Sequence, residues 1–168
     1  MIFESKIPYP NIEVETKNYT YANLLRKAYA SETSEDTAIH LYLYQSLILQ
    51  EKYKDISNIL KKISVVEMKH LEILGKLVLL LGVKPVYSSP YKNGLSKYFN
   101  TSYVKYNNNL NDILRININA EIQAINYYNY LTKIIKDKFI VNILKRIIVD
   151  EQIHLSIFKK IYNDYFGK

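Results

Sequence analysis

An all-α fold, an antiparallel bundle of four helices with one long crossover between the second and third, is what this sequence of 168 residues predicts. Three observations lead to it. Apolar residues recur at helical spacing through four stretches: Tyr21 to about Leu49, about Asp55 to Leu81, about Leu110 to Ile135, and about Lys138 to Tyr165. Short polar breaks join the first pair and the last pair, whereas Lys84 to Asn108, without sustained period, separates the two pairs. The first helical hairpin also resembles the second.

Residues 1–18 are expected to be an extended arm, because Pro8 and Pro10 bracket Tyr9 and no helical period is present. The bundle then occupies 19–168, and one domain spanning 1–168 accounts for the chain. In the first helix Leu24, Leu25, Ala28, Ile39, Tyr42, Leu43, Ser46 and Leu47 fall at inward positions. A polar break from Gln50 to Lys54 ends it, and Asp55 is placed to cap the second helix. Gly82 and Pro85 stop that helix in the order expected beyond a C-terminus. The connection that follows holds Pro85, Pro90, Gly94 and many Ser, Asn and Tyr residues. So long a loop needs a purpose: it carries the chain along the bundle so that the third helix starts at the far end. Lys136 and Asp137 mark the turn into the fourth helix.

The repeat is legible residue by residue. Glu35, Ala38, Ile39, Tyr42 and Tyr44 match Glu121, Ala124, Ile125, Tyr128 and Tyr130, at an offset of 86 residues. Glu67, His70, Leu71 and Ile73 match Glu151, His154, Leu155 and Ile157, at an offset of 84. The two-residue difference fits in the turn between the helices.

Composition excludes several functions. Hydrophobic residues make up 48% and charged residues 23%, with no apolar run of the roughly 18 residues that cross a bilayer, so no membrane association is expected. The opening residues carry acids and prolines where a secretory leader needs a basic start and an apolar centre, which makes a cytoplasmic location the expectation. There is no cysteine, so disulfides, thiolate catalysis and sulfur-ligated metals are excluded, and any metal must sit on oxygen and nitrogen. The net charge is +7, but the lysines are scattered along helix faces, so no nucleic-acid partner is expected. The 17 tyrosines as a class point to no function.

The chemistry lies in two Glu-x-x-His frames. Residues three apart share a helix face, so Glu67 with His70, and Glu151 with His154, can each aim at one point. Glu35 and Glu67 each stand about 20 Å from their shared turn at 1.5 Å per residue, and Glu121 and Glu151 stand at similar heights from theirs. Four glutamates and two histidines can therefore meet in mid-bundle. Four buried carboxylates are too costly without cations, and two divalent metals would neutralise them.

With these residues the chain resembles the ferritin-like di-metal carboxylate proteins across all four helices. "EDTAIHLY" and "EMKHLEILGKLVLLLG" are similar to the first two helices of the bacterioferritin and rubrerythrin branch. "EILGKLVLLLG" with Lys84 and Pro85 beyond it is also similar to small ferritin-like and manganese-catalase-like proteins of spore formers. The resemblance implies Glu35, Glu67, His70, Glu121, Glu151 and His154 as metal ligands, with Glu67 and Glu151 as bridges. There are departures. Rubrerythrins proper add a glutamate where this chain has Ala124, and they carry a cysteine-based rubredoxin domain. Bacterioferritins continue into a fifth helix, whereas this chain ends at Lys168, so a storage cage is not expected. Met68 occupies the position of their haem methionine but is read as a packing residue, and haem is not expected.

Tyr42 and Tyr128 stand seven residues after Glu35 and Glu121, nearly two turns, so each can donate a hydrogen bond to a carboxylate across the bundle or simply fill the core. Asp150 can orient a ligand histidine of the neighbouring helix, while its counterpart in the first hairpin is Val66. His40 and Glu72 point away from the site, and Glu32 lies solvated or at its mouth. The expected activity is that of a di-iron oxidoreductase reacting with dioxygen or hydrogen peroxide, of ferroxidase or peroxidase type. Electrons would come from iron or an external redox partner. The alternatives are a di-manganese, catalase-like peroxide disproportionation, or a metal-stabilised spore-coat protein without turnover, which would place the chain at the spore. A homodimer is the expected assembly.

Overall fold

The structure, a computed structural model, describes residues 2–167. Among these residues five α-helices form: α1 (Tyr19–Tyr29), α2 (Glu35–Leu49), α3 (Lys54–Leu80), α4 (Leu110–Ile134) and α5 (Lys138–Phe166). The helix expected from Tyr21 to Leu49 is thus two helices. The polar run Ser31 to Ser34 breaks it: the Thr37 hydroxyl donates to the Ser31 carbonyl at 2.6 Å, and the Ser34 hydroxyl to the same oxygen at 2.7 Å. Ser34 then caps α2 by accepting from the Thr37 N–H at 3.4 Å. The break leaves Glu35 in the first turn of α2. Leu43 and Leu47 face outward, at 40% and 63% exposure, because the break resets the rotation on which their inward placement depended.

The other boundaries follow local chemistry. The cap of α3 is Tyr53, with no side-chain hydrogen bond, and Asp55 sits in the first turn instead of capping it. At the far end Val83 N–H bonds the Val78 carbonyl and Gly82 N–H the Leu79 carbonyl, a Schellman closure that needs the φ of +92° at Gly82. Asn109 caps α4 through the Asp112 N–H, and Asp137 caps α5 through the Phe139 and Ile140 N–H groups.

α2 packs with α3 and α4 with α5 as two hairpins, and α1 lies along α3. The approach of α1 is close: a Cβ on Gly75 would meet the Tyr29 ring at 3.3 Å. The crossover holds an antiparallel two-stranded hairpin, β1 (Ser88–Pro90) with β2 (Ser96–Tyr98). The buried Arg26 ties it to α1 through the Ser88 and Ser96 hydroxyls. No helix of the described residues is long and apolar enough to cross a membrane.

The core is divided. One apolar cluster joins α1, the end of α3, the end of α4 and the start of α5, around Leu25, Leu77, Leu131 and Ile143. The other joins α2, the start of α3, the start of α4 and the end of α5, around Leu60, Ile113 and Phe158. The crossover therefore runs from one end of the bundle to the other, as its length implied. Between the two clusters lies a polar layer.

Candidate metal centre

The six expected ligands make up that layer, and all are buried. Two sets form. Glu35, Glu67, His70 and Glu151 offer ligand atoms within 4.8 Å of one another, and so do Glu67, Glu121, Glu151 and His154. Glu67 and Glu151 belong to both sets, which is the position of a bridge. His70 Nδ1 lies 2.8 Å from Glu67, 3.0 Å from Glu151 and 3.7 Å from Glu35. His154 Nδ1 lies 3.0 Å from Glu67, 3.6 Å from Glu151 and 4.0 Å from Glu121.

Several of these atoms approach one another without hydrogen-bond alignment. Glu67 Oε1, Glu151 Oε1 and His154 Nδ1 are buried with no hydrogen-bond partner. Buried polar atoms are rarely left so, because each costs about 1–3 kcal/mol. Atoms that face a shared point instead of each other are the arrangement a cation requires.

Protonation tells the same story. Burial, then the Glu151 and Glu67 carboxylates, pushes Glu35 up to about 8. The same causes lift Glu121 well above the carboxylate range. Burial also opposes charge on Glu67 and Glu151, but their histidine contacts prevail and hold both below that range. Burial disfavours the imidazolium form of His70 and His154, yet the carboxylates around them raise both well above ordinary histidine. Below about pH 8, then, Glu35 holds a proton, and Glu121 and both histidines are pushed the same way, toward their protonated forms, against two carboxylates pushed toward ionisation. Protons so held bring positive charge to the layer, as divalent cations would. The donor set therefore fits a pair of such ions.

Tyr42 donates to Glu121 and Tyr128 to Glu35, so each tyrosine holds a carboxylate of the opposite hairpin. Asp150, fully buried, lies behind His70, with its Oδ2 at 3.3 Å from Nε2. Of the remaining titratable residues, His40 is exposed and bonds the Asp36 carbonyl, and Glu72 is exposed beside Lys76. Glu32 faces Lys105 at 3.8 Å at the mouth of the cavity. Met68 is 45% exposed on the outside of α3 and is not a packing residue of the core.

Sequence reasoning missed the part played by the arm. Residues 2–18 are non-helical, as expected, but they lie across the centre. Phe3 O accepts from His154 Nε2 at 2.9 Å. Ser5 N–H and the Tyr9 hydroxyl donate to Asp150 at 2.6 and 2.5 Å. Arg146 pairs with Asp150 at 2.7 Å, donates to the Ser5 and Ile7 carbonyls, and stacks 4.2 Å above the Tyr9 ring. One signal was available: Arg146 stands one turn before Asp150 on the same face. The opposite side of the centre is open. A cavity of about 240 Å³ between α2 and α4 is lined by Glu35, Glu67, Glu121 and Glu151 and by neither histidine.

An antiparallel helical bundle with a mid-core set of four glutamates and two histidines defines a ferritin-like di-metal carboxylate protein. The profile of the rubrerythrin family matches residues 23–162, and the chain belongs to that family. Among solved structures, KatB, a manganese catalase from Anabaena PCC7120, is similar with a TM-score of 0.82 at 26% identity, over 100% of this chain and 82% of its own. A wild-type KatB structure from Anabaena gives 0.84 at 24% identity, over 98% and 81%. The bacterioferritin of Desulfovibrio desulfuricans gives 0.71 at 25% identity, over 89% and 82%. No sequence among curated proteins matches the chain.

Proposed function

We propose that the chain is a di-metal oxidoreductase that disproportionates hydrogen peroxide, with Glu35, Glu67, His70, Glu121, Glu151 and His154 holding two manganese ions. The observation that carries this reading is the buried six-residue set, in which two groups of four ligand atoms share Glu67 and Glu151. Disproportionation suits a chain without cysteine, because one peroxide supplies the two electrons the next consumes and no thiol is needed to deliver them. Likeness to a manganese catalase over the whole chain, arm included, supports manganese. Imidazole and carboxylate ligands accept iron equally well.

Bound, the metal pair would supply a two-electron reservoir at the floor of the cavity. The chain's own residues do the rest. The α2–α4 cavity admits peroxide on the carboxylate side, while the arm excludes solvent from the histidine side. Tyr42 and Tyr128, donating to Glu121 and Glu35, would keep these carboxyl groups in place to hold the metal. Oxygen evolution from peroxide by manganese-loaded protein, without added reductant, is the expected result. Loaded protein that leaves peroxide untouched would overturn the reading.

The bacterioferritin likeness favours a second reading, in which the same residues hold iron and react with dioxygen or peroxide at the expense of an external donor. Iron-loaded protein that consumes peroxide only with a reductant would mark that case. For the expected homodimer, the outward Leu43, Leu47 and Ile48 of α2 offer an apolar stripe.

A further inference from the structure

We propose that the N-terminal arm is a positioning part of the metal centre that makes its two metal positions unequal: the His70 position loads first, and the His154 position depends on the arm. The inference rests on the di-metal reading above. By the internal repeat the two histidines are equivalent, and each Nδ1 faces both Glu67 and Glu151, one from its own helix and one from the other hairpin. What lies behind them differs. Asp150 of α5 backs His70 of α3, so the symmetric place behind His154 of α5 belongs to Val66 of α3, which has no acceptor to offer.

The arm fills that gap. Phe3 O accepts from His154 Nε2 at 2.9 Å, and because a carbonyl only accepts, Nε2 is the nitrogen that keeps its proton and Nδ1 the one turned inward to serve as a ligand. The two supports are not equal in strength. An ionised carboxylate behind an imidazole raises its basicity more than a neutral carbonyl does, and partners of this kind change metal affinity by about 10–100-fold. They also differ in permanence. Asp150 is fully buried and held by Arg146, Tyr9 and Ser5, whereas Phe3 is only half-buried and its neighbour Glu4 is fastened outside by Lys69 at 2.7 Å.

Manganese titrated into metal-free protein tests this, followed by elemental analysis after dialysis and by the manganese resonance signal. The unaltered chain should bind two ions in separate steps. Deleting residues 2–4 should leave the first step in place and weaken the second about 10–100-fold. Asp150→Asn should weaken the first step and narrow the gap. In the shortened chain Val66→Asp should restore the second step, which a merely structural role for the arm would not allow. If the deletion leaves both steps unchanged, or weakens both equally, the arm has no positioning role. If the unaltered chain binds no metal, the di-metal reading fails and this inference with it.

Discussion

At the scale of single residues the centre is a set of proton holders. Loading it with metal must displace the protons on Glu35, Glu121 and the two histidines, so apparent affinity rises with pH. For Glu35 the window is clear: its proton competes with metal below about 8 and stops competing above it. Titration calorimetry in buffers of different ionisation enthalpy should show protons released as metal binds near neutral pH, and fewer released above about pH 8, where Glu35 has already lost its own. Substitution separates terminal from bridging ligands. Glu35→Gln should reduce bound metal from two ions per chain to one, whereas Glu67→Gln, which touches both sets, should abolish stable binding of either. Elemental analysis after dialysis reads both. That these six side chains meet in one buried layer was legible in the sequence, because each obeys a helical spacing. Tyr42, Tyr128 and Asp150 were legible for the same reason, but the Phe3 carbonyl was not, since a main-chain group of an extended segment follows no period.

At the scale of elements the break between α1 and α2 has the largest consequence. It places Glu35 in a first helical turn whose geometry depends on Ser34. Ser34→Ala should lower stability by about 1 kcal/mol in denaturant unfolding. It should also weaken metal binding, whereas Asn109→Ala, at the cap of α4 and remote from every ligand, should cost similar stability and leave metal affinity alone. The break was hidden because apolar residues continue at helical spacing on both sides of it, and only the cluster of Ser31, Thr33 and Ser34 hinted at a cap. The crossover shows the reverse. Its length was plain, but β1, β2 and the Arg26 link depend on partners distant in sequence.

For the whole molecule, a divided core means that cations bound in the middle layer would add to the fold's stability. Metal that binds only the folded state at about 100-fold above Kd adds about 2.7 kcal/mol per site. In a chain of this size that is roughly 5–10 °C in Tm, so chelation should lower the melting temperature by about that much per ion removed. Far-UV circular dichroism below the transition should show the helices retained, because both apolar clusters are built from side chains other than the six candidate ligands.

The tyrosine exchange reaches further. Tyr42 of the first hairpin serves a carboxylate of the second, and Tyr128 of the second serves one of the first. Neither half is chemically complete alone. Severed in the exposed turn at Asn93 and Gly94, the two fragments should each expose an acid that has lost its donor, and on mixing they should recombine. The molecule is in this sense a heterodimer that happens to be written as one chain.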